Sequence, residues 1–231
     1  MLNKALRNIS YIILALVLPL FILLTSTEIA AFDINYYRAE YEKYNISENL
    51  AIEQKDLMDS TSKLLDYLRG NRKDLDFQTI VNGIEQEFFS ARDKLHMVDV
   101  KNLFIIGRNI RNGILILLLF IIVMLKYNKT ISFDLGKALL MSSIAGVLPI
   151  ALLIILINID FYKYFTIFHE IFFTNDLWLL DPNADRLVNI FPEGFFSDIA
   201  FRIITYYLTA QFILFILSIV LKYIKKHADA R

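Results

Sequence analysis

Four long apolar stretches constrain this chain more than anything else in it. They fall at residues 9–25, 103–125, 135–159 and 199–223. A helix crosses a hydrocarbon core about 30 Å thick with about 20 largely apolar residues, each rising about 1.5 Å. The stretches are of that order. A soluble fold would have to hide all four in one core. The chain is 56% hydrophobic and only 21% charged, against about 25% charged in ordinary soluble domains. The expected fold class is therefore an all-α integral membrane protein with four transmembrane helices. Pro19 and Pro149 fall inside stretches, where neighbouring helices can satisfy the carbonyls a proline frees. No 20–50-residue period repeats, which excludes a solenoid.

The first stretch follows Lys4 and Arg7, a pattern shared by signal peptides and uncleaved anchors. The sequence after it, Thr25-Ser26-Thr27-Glu28-Ile29-Ala30-Ala31, has no clean small-x-small cleavage site, so an anchor is the preferred reading. Basic residues set orientation. The N-terminus (Lys4, Arg7), the 126–137 loop (Lys126, Lys129, Lys137) and the tail (Lys222, Lys225, Lys226, Arg231) hold nine basic residues and two acids, Asp134 and Asp229. That side is expected in the cytoplasm, with both termini. Five further basic residues, Arg92, Lys94, Lys101, Arg108 and Arg111, crowd the other end of the second span. The last two are expected to snorkel to the interface.

The expected organisation is residues 1–27 (N-terminus and first span), 28–102 (a small extracytoplasmic α+β cap), 103–158 (second and third spans with a cytoplasmic loop), 159–198 (an interfacial or re-entrant aromatic loop) and 199–231 (fourth span and basic tail). In the cap, Ser47 precedes a helical stretch with Leu50, Leu57, Leu64, Leu65 and Leu68 on one face, ending at Gly70. Two short apolar runs, 77–81 and 84–89, flank Asn82-Gly83, the strongest short hairpin signal. Ser90-Ala91-Arg92-Asp93 has the form of a capping box. A helix starting there carries His96 and Asp99 and runs into the second span. Residues 161–173 hold seven aromatic residues, Phe161, Tyr162, Tyr164, Phe165, Phe168, Phe172 and Phe173, and are expected to lie in the interface or re-enter the bilayer.

The residue inventory excludes several chemistries. There is no cysteine, so disulfides, thiolate metal sites and thioester intermediates are out. No Gly-x-Ser-x-Gly elbow and no glycine-rich phosphate loop occurs. Lys plus Arg equals Asp plus Glu at 24 each, without the basic surplus of a nucleic-acid binder. What remains is histidine. His96 and His169 fall on the outer side, each beside a membrane boundary, and imidazole exchanges protons near neutral pH. Asp99, three residues after His96, shares its helix face. It either orients the imidazole or pairs with Arg92 or Lys101. Asn175, Trp178 and Asp181 follow His169 as wall or turn residues. Two unrelated interfacial histidines, or a zinc site of His96, His169 and an acid, are the competing readings.

The blocks His96-Met97-Val98-Asp99-Val100-Lys101-Asn102-Leu103-Phe104, Phe168-His169-Glu170-Ile171-Phe172-Phe173, Trp178-Leu179-Leu180-Asp181-Pro182 and Phe191-Pro192-Glu193-Gly194-Phe195-Phe196 resemble the lipoprotein intramolecular transacylase family, four-helix membrane proteins of low-GC Gram-positive bacteria. The resemblance covers nearly the whole chain, in order. It implies an acyltransferase whose substrate is a lipoprotein with a diacylglyceryl-modified N-terminal cysteine. The sn-2 acyl chain would move to the α-amino group of that cysteine, giving the lyso form. The family's two essential histidines correspond to His96 and His169. Asp99, Trp178, Asp181, Arg92 and Asn175 are expected in support. Asp93 stands where the family pattern leads one to expect Glu. The resemblance implies membrane lipid and diacylglyceryl lipoproteins as partners, no nucleic acid, no cofactor and no resident metal, with the active site at the outer leaflet. The alternative function is a non-enzymatic membrane receptor or assembly factor that binds through the cap.

Overall fold

The computed structural model describes residues 2–127 and 133–228. Lys129 of the expected cytoplasmic loop, and Asp229 and Arg231 of the tail, lie outside the described residues. The elements run α1 (Leu2–Ala31), α2 (Ile34–Lys43), α3 (Ile46–Asn49), α4 (Gln54–Arg69), β1 (Gln78–Val81), β2 (Ile84–Glu87), α5 (Ala91–Tyr127), α6 (Leu135–Ile159), α7 (Phe161–Phe172), α8 (Leu187–Ile190) and α9 (Glu193–Ala228). Four of them, α1, α5, α6 and α9, are long and apolar enough to cross a membrane. Each contains one of the four stretches read from the sequence. At 37 and 36 residues, α5 and α9 would measure about 55 Å. That exceeds a hydrocarbon core, so each carries several turns outside it.

The chain divides into two compact units. One comprises Met1–Glu28, Arg108–Ile159 and Phe201–Arg231; the other comprises Ile29–Gly107 and Asp160–Ala200.

The first unit is the helical bundle. Its large apolar side chains point outward as well as inward: Ile116, Leu148 and Phe212 are all well exposed, as lipid-facing residues must be. Hydroxyls within it bond back to carbonyls four residues earlier. Ser10 donates to Leu6, Thr25 to Phe21 and Thr209 to Thr205, which satisfies them without water. At one end of the bundle the backbone N–H of Asp134 donates to the Tyr11 hydroxyl at 2.9 Å, and Lys225 pairs with the Asp134 carboxylate at 2.9 Å. The start of α1, the start of α6 and the end of α9 therefore meet. Elsewhere in the bundle Arg108 and Arg111 both face the carboxylate of Glu28, at 3.8 and 3.9 Å. They share an acid rather than simply snorkelling, because Glu28 supplies a countercharge at the last turns of α1. Deep in the bundle Tyr207 donates to the carbonyl of Gly146 at 2.9 Å. A Cβ there would meet the Tyr207 hydroxyl and the Gln211 amide at 2.5 Å, so those side-chain ends would have to move.

The second unit has a true core. Tyr41, Leu57, Leu64, Phe88, Phe89 and Ile190 are almost fully buried, each worth roughly 1.5–3 kcal/mol by area removed from water. The hairpin forms as expected: β1 and β2 are antiparallel with Val81 opposite Ile84, and Asn82 and Gly83 take φ of 53° and 74°. The helix expected after Ser47 is broken. The chain makes the single turn α3, reverses at Ala51 with φ 47°, and restarts at Gln54. Leu50 therefore falls outside the long helix. The break is held by partners distant in sequence or out of helical register. The Ser47 hydroxyl donates to the Ile52 carbonyl at 2.8 Å, and the Asn82 N–H donates to the Ala51 carbonyl at 3.0 Å. The end at Gly70 is as expected. The sequence reading missed α2, which begins at the N-cap Asp33 and buries Tyr37 and Tyr41 one turn apart.

Candidate active site

His96 and His169 both lie in the second unit, and it brings them together. The His96 and His169 rings are 6.1 Å apart between centroids, with residue exposures of only 6% and 8%. His96 is placed by the capping box at the start of α5. The Ser90 hydroxyl accepts from the Asp93 N–H at 2.9 Å, and the Asp93 carboxylate accepts from the Ser90 N–H at 3.0 Å. Those bonds start the helix, and His96 follows one turn later. His169 is placed by α7, whose first turn is capped by the Asp160 carboxylate accepting from the Lys163 N–H at 3.0 Å. α7 is strongly amphipathic. Tyr162, Phe168, Ile171 and Phe172 are exposed while His169 is buried.

Aromatic rings wall the pair. Trp178 lies over His169 at 4.9 Å and 32°, Phe165 meets it edge-on at 4.3 Å, and Phe173 stands 5.3 Å from His96 and 5.5 Å from His169. These walls exclude water, and desolvation disfavours the charged imidazolium. Burial lowers the His96 pKa to about 4; neighbouring His169 pulls it the same way, and Asp99 opposes both. Burial also lowers His169, against the hydrogen bond to Phe165. Both imidazoles are thus neutral at pH 7.

The tautomer of His169 follows from its partner. Nδ1 lies 2.7 Å from the carbonyl oxygen of Phe165. A carbonyl only accepts, so Nδ1 carries the proton and donates. Nε2 then holds the free lone pair, ready to take a proton. The Nδ1 of His96 is buried with no hydrogen-bond partner among the described residues.

The other expected residues divide. Asn175 donates to the Asp99 carboxylate at 2.9 Å, so Asp99 is held by the loop after α7. It bonds neither to the imidazole nor to Arg92 or Lys101. Its influence on His96 is through charge alone. Arg92 donates to the carbonyl of Asp176 and so pins the same loop. Trp178 is in ring contact with His169. Asp181 stands apart from the rings. Its carboxylate accepts from the Asn183 N–H at 2.9 Å, which makes it an exposed turn residue rather than a pocket wall. Among the described residues no three His, Asp or Glu side chains converge as metal ligands would.

Two buried acids escaped the sequence reading as site residues. Asp93 has no exposed surface, and Asp185 is 4% exposed. Asp93 also accepts from the N–H groups of Arg186 at 3.0 Å and Leu187 at 3.3 Å. Asp185 accepts from the Ser90 hydroxyl at 2.6 Å and the Asp181 N–H at 2.8 Å. The Ser90–Asp93 spacing signalled a helix cap. Nothing local marks Asp185 as other than turn material.

A buried pair of neutral imidazoles, walled by aromatic rings, lies in a chain with four helices long and apolar enough to cross a membrane. The family model for the lipoprotein intramolecular transacylase Lit matches residues 12–196. The chain belongs to that family and is an acyltransferase. Among solved structures it is similar to the membrane-integral lipoprotein intramolecular transacylase of Bacillus cereus, with a TM-score of 0.81 and 22% identity over 97% of this chain and 99% of that one. Two variants of that protein, each with one histidine replaced, by arginine or by alanine, match at a TM-score of 0.77 and 22% identity. They cover 98% of this chain and 96% and 98% of theirs. Likeness at that identity carries the fold; the family model carries the membership. No curated protein matches the chain.

Proposed function

We propose that this transacylase moves the sn-2 acyl chain of a diacylglyceryl-modified lipoprotein to the α-amino group of the same N-terminal cysteine, with His96 and His169 as its acid–base pair. The observation that carries the reading is the pair itself: two neutral, buried imidazoles 6.1 Å apart, one with its tautomer fixed.

The chemistry is an ester aminolysis within one molecule. The amine nitrogen attacks the sn-2 ester carbonyl, a C–N bond forms, and the carbonyl oxygen takes up negative charge. Nε2 of His169 accepts the proton the nitrogen must lose. The tetrahedral centre then collapses, the bond to the glycerol oxygen breaks, and that oxygen leaves with a proton supplied by the imidazole pair. One ester and one amine become one amide and one alcohol, and no water is consumed. Because nucleophile and ester belong to the same molecule, holding them in a near-attack pose supplies much of the rate, on the order of 7–11 kcal/mol in favourable cases. The aromatic walls serve that end by excluding the water that would hydrolyse the ester.

On this reading the second unit faces outward and the ends that carry Tyr11, Asp134 and Lys225 face the cytoplasm. The basic residues of residues 1–8, 126–137 and 222–231 support that orientation. The partners are diacylglyceryl lipoproteins held in the outer leaflet and the lipid around them. The test is expression with a reporter lipoprotein in a host lacking such an enzyme, followed by mass spectrometry of the N-terminal lipopeptide. Wild type is expected to yield the lyso form. His96→Gln and His169→Gln, expressed at equal levels, are each expected to yield only the diacylglyceryl form. Complete conversion by both variants would refute the reading.

A further inference from the structure

The two reacting imidazoles reach their positions by different routes. His96 depends on where α5 starts. His169 depends on α7, and Trp178, which covers it, depends on the loop that follows. Nothing in the backbone between residues 97 and 168 is local to both. Besides the exposed bonds from Asn175 to Asp99 and from Arg92 to the Asp176 carbonyl, a set of buried hydrogen bonds among Ser90, Asp93, Asp185 and the backbone of residues 181–187 joins the two sides within this unit.

Asp93 is fully buried, yet its carboxylate meets three N–H donors, those of Ser90, Arg186 and Leu187. Asp185 meets two donors, the Ser90 hydroxyl and the Asp181 N–H. Ser90 bridges them, because its hydroxyl also accepts from the Asp93 N–H. Arg186 adds a guanidinium contact to the carbonyl of Glu87 at 2.9 Å and stacks 5.3 Å from the Phe88 ring. Two carboxylates inside a core are costly unless every lone pair is met. Such a network is a specific construction; a helix start alone needs only the Ser90–Asp93 pair.

We propose that Asp93 and Asp185 are positioning residues for the transfer, tying the first turn of α5, and with it His96, to the loop that lays Trp178 on His169. The proposal rests on the reading that the two imidazoles are the reacting groups. It also gives the residue at position 93 a physical task. A carboxylate there must cap the helix and at the same time accept from the loop, which an aspartate does with two oxygens and three donors.

The test uses the purified full-length protein and two readouts. One is steady-state conversion of a synthetic diacylglyceryl lipopeptide, split into kcat and KM. The other is the rate of diethyl pyrocarbonate modification at His96 and His169, measured by peptide mass spectrometry against the exposed His227 as internal reference. Asp93→Asn and Asp185→Asn replace an acceptor by a donor. Each is expected to lower kcat about tenfold or more, since small misplacements of reacting groups cost that much or more, with KM within about twofold. Each is also expected to speed His96 modification severalfold. Asp93→Glu keeps both acceptor oxygens and is expected to return both readouts towards wild type. Ser90→Ala, which deletes only the bridging hydroxyl, is the milder variant should the aspartate variants not accumulate, and is expected to move both readouts in the same direction. Wild-type kcat and wild-type modification rates in the asparagine variants would overturn the proposal, as would an equal kcat loss in Asp93→Glu. The modification rates report on the tie even if His96→Gln and His169→Gln retain activity, so failure of the clamp and failure of the two-histidine reading are told apart.

Discussion

At the scale of single residues, burial sets the protonation of the site, and that has a consequence for stability. His96 is lowered to about 4 by burial and His169 is lowered too, while both titrate near 6.5 in the unfolded chain. On acidification the unfolded chain therefore binds protons first. The contribution of neutral His96 is complete above about pH 6.5 and is lost as the pH falls toward about 4, and that of His169 is lost in the same direction. The loss is about 3 kcal/mol for His96. Trp178, the only tryptophan, lies on His169 and serves as the fluorescent probe. Thermal unfolding followed at Trp178 is expected to move to lower temperature between pH 7 and pH 4.5, and His96→Gln is expected to flatten that dependence. An identical slope in wild type and His96→Gln would contradict the burial argument. The two histidines were legible in the sequence because few other residue types remained. The partner of Asp99, left open between His96, Arg92 and Lys101, was not, because helix spacing alone cannot show that Asn175, 76 residues away, takes the carboxylate.

At the scale of elements, what was legible is what is coded locally. Asn82-Gly83 makes its turn and Ser90–Asp93 makes its cap because each needs only a few neighbouring residues. The break between α3 and α4 was invisible, since it depends on Asn82 reaching back to Ala51. α2 was missed because its two buried tyrosines are set among Arg38, Glu40, Glu42 and Lys43, which give no apolar run. Close approach of helices in the bundle was equally hidden. Gly146→Ala would place a Cβ against Tyr207 and Gln211 and disturb the bond from Tyr207 to the Gly146 carbonyl. The expected cost is about 1–3 kcal/mol, read as a lower unfolding temperature in detergent. In the second unit, Gly83→Ala puts a side chain at φ 74° and is expected to cost about 1 kcal/mol. Hydrogen exchange at the hairpin amides would detect it.

At the scale of the whole molecule, the proposed orientation would divide the balanced charge of the chain between the two sides of the membrane. The segments assigned to the cytoplasm hold nine basic and two acidic residues, leaving 15 basic and 22 acidic for the rest. The absence of cysteine makes this directly testable by single-cysteine labelling with a membrane-impermeant thiol reagent. Asn71→Cys, beyond the end of α4, is expected to label from outside intact cells, and Lys226→Cys only after permeabilisation; the reverse pattern would invert the assignment. The transfer is intramolecular, and a crossover experiment tests that directly. Purified enzyme is given an equal mixture of two diacylglyceryl lipopeptides, one heavy-labelled in both its sn-2 chain and its peptide, the other unlabelled, and the lyso products are weighed. Wild type is expected to give only doubly heavy and doubly light products, and His96→Gln and His169→Gln none. Mixed heavy–light products, or full conversion by both histidine variants, would contradict it.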